Sequence, residues 1–191
     1  MINQKEVINI LKESEALLEG HFLLSSGRHA ESYIQCAQVL QYPWYTKKLA
    51  EEIANIWSEY QPEVIVGPAM GGIVFSYAVG QALNRPAIFS ERKNGEMKFR
   101  RGFNLKKEQR VLVVEDVVTT GGSVKELLRI IEAESAEIIG ISSIVDRSNG
   151  KVDFKYPFQP LLQLEVPSYS EDDCPICKKG KITPIKPGSR N

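Results

Sequence analysis

Twice in this chain a short apolar run passes through a glycine-bearing turn into an amphipathic helical pattern: "EVIVGPAMGGIVFSYAVGQAL" and "RVLVVEDVVTTGGSVKELLRIIEAES". Apolar runs without polar alternation are strands buried on both faces, and strands that alternate with helices build a parallel sheet covered on both sides. "RPAIFSE" and "AEIIGISSIVDRS" supply further strands. The segment from Trp44 to Tyr60 is helical and starts just after Pro43. Residues 3–18 place Val7, Ile8, Ile10, Leu11, Leu17 and Leu18 on roughly one helical face, and "HFLLSSGRHAESYIQ" reads as strand–loop–strand. The expected fold is α/β, a mostly parallel sheet with helices on both faces. In such sheets ligands bind beyond the carboxyl ends of the strands. The turns "GPAMGG", "EDVVTTGGS" and "VDRSNG" should therefore share one edge. After Val166 the composition shifts to proline, lysine and acids, which predicts an irregular tail over 167–191.

A length of 191 residues allows one domain with a full core, and 42% hydrophobic with 25% charged residues is the balance of a globular protein. Lys+Arg and Asp+Glu are equal at 24 each, so no net charge draws the chain to nucleic acid or to an anionic membrane. No apolar run is long enough to span a bilayer. The segment "MINQKEVINILKESE" is charged and amphipathic, unlike a signal peptide. A cytoplasmic location is expected, and three cysteines do not form a disulfide framework.

The chemistry concentrates in "VLVVEDVVTTGGS", Val111 to Ser123. A turn that leaves a strand and opens a helix presents free N–H groups and the positive end of the helix dipole. Gly121 and Gly122 allow close approach of a ligand, and Thr119, Thr120 and Ser123 add hydroxyls, which together make a phosphate cradle. The spacing is neither that of a P-loop nor that of a dinucleotide fingerprint. Glu115 and Asp116 would repel a bare phosphate. They suit a ligand that also brings vicinal hydroxyls or develops positive charge, and a ribose 5-phosphate unit reacting at its anomeric carbon does both.

These thirteen residues resemble the phosphoribosyl pyrophosphate signature of the type I phosphoribosyltransferases. The wider chain, about residues 1–170, resembles the orotate-using members in their shorter form with a cysteine-bearing tail. "LLSSGRHAESYIQ" is similar to the segment that forms a hood over the base, and "VGPAMGGIVF" to the pyrophosphate loop. Arg147 in "SSIVDRSNGKV" stands where the family uses an arginine on the orotate carboxylate. The resemblance implies a single catalytic domain over 1–166, with residues 1–40 contributing a small N-terminal hood. The implied reaction transfers the 5-phosphoribosyl group to orotate, giving orotidine 5-phosphate and pyrophosphate. It makes Glu115 and Asp116 the catalytic, ribose-binding acids. Val117, Val118, Thr119, Thr120, Gly121, Gly122 and Ser123 would join Arg92, Lys93 and Lys98 in binding phosphoribosyl pyrophosphate, and Thr119 with Arg147 would bind orotate. It further implies substrate-borne Mg²⁺ and a homodimer with shared active sites.

From the residues alone, alternatives stay open. One is a transferase for another base, such as a purine; another is a non-catalytic sensor of phosphoribosyl pyrophosphate that binds nucleic acid or a protein. The acid pair, Arg147 and the zero net charge oppose the sensor. The basic stretch Ser90–Phe103 is either a solvated hairpin turning at Asn94-Gly95 or a mobile lid that neutralises departing pyrophosphate. It lacks apolar periodicity, so nothing of its own is expected to hold it down. Where many family members carry lysines, this chain has Ser25 and Gly71, and the histidine of their lid is absent, leaving Lys98 or Arg100 to supply that charge. Cys174-Pro-Ile-Cys177 has half the spacing of a zinc site. With Cys36 the one thiol left over, the expectation is a reduced pair in the tail, with completion across a dimer axis as the alternative, and no metal-ligand set. His21 and His29 are read as structural or hood residues.

Overall fold

The computed structural model describes residues 2–24, 26–180 and 182–186. Its frame is a sheet built on β3 (Val64–Pro68), β4 (Ala87–Lys93), β5 (Glu96–Phe99), β6 (Arg110–Val118), β7 (Glu137–Asp146) and β8 (Phe158–Gln163), in the order β5-β4-β3-β6-β7-β8. All neighbours pair in parallel except β4 and β5, which form an antiparallel hairpin at one edge. The carboxyl ends of β3, β6 and β7 therefore lie side by side, and the three polar turns share an edge as the sequence predicts.

Strand β6 shows why both faces must be covered. Val111 and Val113 point into one cluster with Val124, Leu127 and Ile131 of α5 (Gly122–Ala133). Leu112 and Val114 point into the other. There they meet Ile53 and Trp57 of α3 (Pro43–Trp57) and Phe75 and Val79 of α4 (Gly71–Leu83). All four strand residues are fully buried, the two-sided burial typical of parallel sheets. Gly140 of β7 is a packing glycine: a Cβ at that point would overlap the Trp57 indole, so the missing side chain is what lets α3 lie on the sheet.

A second, three-stranded sheet forms the hood. It consists of β1 (Leu17–Leu23), β2 (His29–Ile34) and β9 (Ser168–Tyr169), paired antiparallel in that order, with α1 (Gln4–Glu13) against β1, while the short α2 (Ala37–Leu40) packs on α3 and α4. The helix expected over 3–18 stops early. Ser14 donates its hydroxyl to the carbonyl of Ile10 at 2.7 Å and Glu15 adopts a positive φ of 55°, so the chain turns and Leu17 and Leu18 enter β1. The tail is more ordered than its composition predicts: it carries β9 and the helix α6 (Pro175–Lys178). Ile185 also exchanges backbone hydrogen bonds with His21 and Leu23, each at 2.8 Å. Among the described residues no helix is long and apolar enough to cross a membrane.

Candidate functional site

The turn expected to cradle phosphate forms where β6 runs into α5. Gly121 caps the helix with φ 72°, a left-handed conformation that favours glycine. A Cβ there would also lie 2.7 Å from Val152 Cγ1 and 2.9 Å from Phe154 Cε1. The first-turn amides of α5 have no acceptor within the helix, and Thr119 and Thr120 are exposed beside them. A hollow of about 60 Å³ is lined by Glu115 and by Val117 through Val124. The residues expected to bind phosphate thus surround one small concavity.

Glu115 and Asp116 end the buried part of β6. Glu115 is 8% exposed and Asp116 half-buried. Burial, and then the adjacent Asp116 charge, push the Glu115 carboxyl well above the usual carboxylate range; burial also raises Asp116. Asp116 is steadied by the Val117 amide, which donates to its Oδ1 at 2.9 Å. None of the ion pairs among the described residues involves either acid. The N-terminus of α4 is pressed against both. A Cβ at Gly71 would overlap the Asp116 carboxylate, and one at Gly72 would lie 3.2 Å from Glu115 Oε1. Gly71, where the family resemblance would place lysine, thus leaves its space to an acid. Ala69–Met70, just before it, is a cis peptide. Ser25, the other position of a missing lysine, lies outside the described residues.

Arg147 follows β7 and donates its amide to the Val118 carbonyl at 2.8 Å, which ties it to the end of the cradle strand. Its Nε is sealed from solvent with no hydrogen-bond partner among the described residues. Burial holds its pKa below the ordinary guanidinium value, and the groups that act on it electrostatically are Cys36 and Tyr33, on the hood side. The cation lies between cradle and hood, with hydrogen-bonding capacity unused.

The basic segment corrects an expectation. Residues 87–99 are a regular hairpin, with Asn94 and Gly95 at positive φ in its turn. It is held down. Met97 is 6% exposed, Phe89 packs edge-on to Phe103, and Arg92 pairs with Glu126 of α5 at 2.7 Å. The absence of a long apolar period hid these single anchors. Lys93 and Lys98 are exposed, and Lys98 pairs with Glu96.

A group of residues outside the cradle was not foreseen as a group. His21 and His29 converge on Cys174 and Cys177, with one potential ligand atom from each lying within 4.8 Å of all the others. Counting thiols alone, which left only Cys36, overlooked the two histidines; Cys36 itself is buried near Arg147 instead. The available signal was an incomplete Cys-x-x-Cys in a chain whose only two histidines flank one hairpin.

A model of the phosphoribosyl transferase domain matches residues 37–168, and the chain belongs to the phosphoribosyltransferase family. The fold agrees: the crystal structure of orotate phosphoribosyltransferase from Aeropyrum pernix superposes with a TM-score of 0.70 at 22% identity, over 83% of this chain and 93% of that one. Orotate phosphoribosyltransferase is also the name of two much closer relatives. The protein of Thermotoga maritima is 51% identical over 181 residues, 95% of this chain and 96% of its own. That of Caldanaerobacter subterraneus subsp. tengcongensis is 46% identical over 189 residues, 99% of each chain.

Proposed function

We propose that this chain transfers the 5-phosphoribosyl group of phosphoribosyl pyrophosphate to orotate, releasing pyrophosphate, as a pentosyltransferase of pyrimidine synthesis. The near-full-length likeness to proteins named for that activity supports the reaction. The observation that carries the base is Arg147, a half-buried cation with an unpartnered Nε between cradle and hood. A guanidinium fork matches a carboxylate in two bonds, and orotate has a carboxylate that purines lack.

Each residue then has a role. The amides and hydroxyls of 119–123 hold the 5-phosphate. Glu115 and Asp116 accept hydrogen bonds from the ribose hydroxyls. As the bond to pyrophosphate lengthens, positive charge grows on the anomeric carbon and ring oxygen, and the two carboxylates stabilise it electrostatically. Thr119 and Arg147 orient the base for attack. Positioning in a partly dry site replaces nucleophilic catalysis by a side chain.

Mg²⁺ fits the donor set: a buried and a half-buried carboxylate lacking a cationic partner among the described residues can tolerate a substrate that arrives with a divalent ion. Held mainly by the pyrophosphate and ribose oxygens, it would offset the charge of the departing group. Arg92, Lys93 and Lys98 serve pyrophosphate, which requires Arg92 to leave Glu126. The catalytic domain is proposed as 1–166, in the cytoplasm, with 1–40 as hood and β9 of the tail completing the hood sheet. A homodimer is proposed from exposed apolar residues on α4: Val74 and Tyr77, 48% and 68% exposed, line a groove of about 590 Å³ between α3 and α4.

The test incubates the protein with phosphoribosyl pyrophosphate, Mg²⁺ and a panel of bases, and follows pyrophosphate release. Release with orotate alone is expected; release with a purine instead would overturn the assignment. Shared sites are tested by subunit exchange between inactive Asp116→Asn and Arg92→Ala/Lys93→Ala dimers. Random pairing makes about half the dimers mixed, each with one intact site, so activity should recover toward about a quarter of wild type. No recovery, with exchange demonstrated, would assign each hairpin to its own subunit's site.

A further inference from the structure

The cluster of His21, His29, Cys174 and Cys177 has the composition and spacing of a metal centre. His21 Nε2 lies 2.9 Å from His29 Nδ1, 3.4 Å from Cys174 Sγ and 3.6 Å from Cys177 Sγ; Cys177 Sγ lies 3.2 Å from His29 Nδ1. Zinc bonds of about 2.0–2.1 Å to nitrogen and 2.3 Å to sulfur imply tetrahedral ligand–ligand edges of about 3.3–3.8 Å. The four measured separations fall within a few tenths of an ångström of that range. All four ligand atoms lie within 4.8 Å of one another.

Hydrogen bonding alone serves this cluster poorly. His21 Nδ1 lies 2.7 Å from the carbonyl oxygen of Ile182. A carbonyl only accepts, so Nδ1 carries the proton, and in the neutral ring Nε2 is left with a single lone pair. Three groups crowd that lone pair: an imidazole nitrogen and two sulfurs. A metal ion at the centre would engage all four ligand atoms at once, while the Ile182 carbonyl fixes the tautomer of His21 from outside, the support expected of a ligating histidine. His21, His29 and Cys174 are 1%, 4% and 0% exposed, so charge matters. Two thiolates, two neutral imidazoles and a divalent cation sum to zero, which a buried site can hold.

The local structure explains how the ligands meet. His29 pairs with Leu23 across β1 and β2, and His21 lies at the register shift of β1 between Glu19 and Phe22, where its ring meets that of His29 edge-on with centroids 4.8 Å apart. Cys174 caps α6 and Cys177 lies in that helix's only turn, the usual two-residue spacing of zinc thiolates.

We propose that these four residues bind one structural Zn²⁺ that fastens the C-terminal tail to the hood. Tetrahedral coordination by two sulfurs and two nitrogens selects zinc among common divalent ions. Four protein ligands leave no open position, so the ion takes no part in the transfer reaction. Its effect is mechanical. The three-stranded hood sheet is small, and its third strand pairs through only His29–Tyr169 and Ala30–Ser168. A metal joining β1, β2 and α6 supplies what so small a sheet lacks.

The full chain, purified and kept under reducing conditions, should retain one zinc after exhaustive desalting, measured by elemental analysis. Cys174→Ser/Cys177→Ser and His29→Asn should lose it, and Cys36→Ser should keep it. Cobalt in place of zinc should give intense tetrahedral ligand-field bands and thiolate-to-cobalt charge transfer. With free zinc about a thousandfold above Kd, linkage predicts a Tm about 8–16 °C above that of the metal-free chain. Should the cysteine variants fail to fold, the wild-type chain still decides: a thiol-blocking mercurial should release one zinc per chain to a colorimetric chelator. The proposal is overturned by a folded wild-type chain that retains no zinc after reconstitution, by an octahedral cobalt spectrum without charge transfer, or by metal that leaves with Cys36.

Discussion

The cradle edge and the hood differ in how their polar groups are held. The cradle is backbone: nine consecutive residues, from Glu115 to Ser123, at the junction of a largely buried strand and an amphipathic helix. Its donors are fixed once the sheet exists. The hood is side chains and short strands, and it joins residues as far apart as 21 and 177. One region keeps one buried and one half-buried carboxylate without an ion-pair partner among the described residues; the other gathers four ligand atoms that suit a single cation. The first is built to receive a charged substrate, the second to be fastened, so perturbing them should produce different kinds of loss.

The largest expected effect lies in the cradle edge. Glu115→Gln/Asp116→Asn should lower turnover by about 10²–10³-fold, the scale of one lost electrostatic contact to a transition state, with a smaller change in substrate affinity. Stopped-flow turnover alongside equilibrium binding of phosphoribosyl pyrophosphate distinguishes the two, and unchanged turnover would remove the acids from the reaction. Next comes the boundary between the regions. Arg147→Ala should raise the orotate KM by about ten- to 150-fold, from a lost charge-assisted contact of about 1.5–3 kcal/mol, and leave phosphoribosyl pyrophosphate binding nearly intact. Equal weakening of both substrates would make Arg147 part of the scaffold.

Much of this was legible in the sequence, for an identifiable reason. The sheet could be read because residues such as Val111 to Val114 are apolar without interruption, and the site because Glu115, Asp116 and the Thr119–Ser123 turn are contiguous. Arg147 was reachable through a topological rule, that strand ends share an edge. What was not legible depends on contacts between distant residues. The early stop of α1 hangs on a serine hydroxyl and a positive φ at Glu15. Strand β8 contains Pro160, which a sequence reading takes as a breaker, yet β8 is an edge strand and tolerates it. The pairing of β2 with β9, and of two histidines with two cysteines, leaves no local pattern at all. The anchored hairpin at β4–β5 escaped because Met97 acts singly.

Smaller effects test the frame beneath the site. Gly140→Ala should force the methyl into Trp57 at a cost of about 1–3 kcal/mol, lowering Tm by about 2–12 °C while activity per folded molecule is kept. A variant that melts normally would show that α3 can lift from the sheet. The subtlest concerns Glu115, whose folded carboxyl titrates above its ordinary value because burial disfavours the charge. Charging it at neutral pH therefore opposes folding. That opposition fades as pH falls toward the ordinary carboxylate range, where the proton is held in both states. Glu115→Gln should accordingly melt a few degrees higher than wild type near pH 7–8, with the gain shrinking on acidification. A variant less stable than wild type at neutral pH would mean the charge is compensated.

The hood also sets an order of events as the chain folds. Strands β1 and β2 are among the first elements made, yet β9 and the Ile185 segment that complete their pairing come from the far end of the chain. Closing so long a loop costs entropy that is offset only after the intervening sheet has brought the two ends near each other. The hood should therefore finish after the frame. Pulse-labelled amide exchange during refolding is expected to protect residues 111–114 before 29–34, and the reverse order would place the nucleus in the hood. A molecule caught before that last step would already hold the turn proposed to bind phosphate, but the hood proposed to cover the base would still be unfinished.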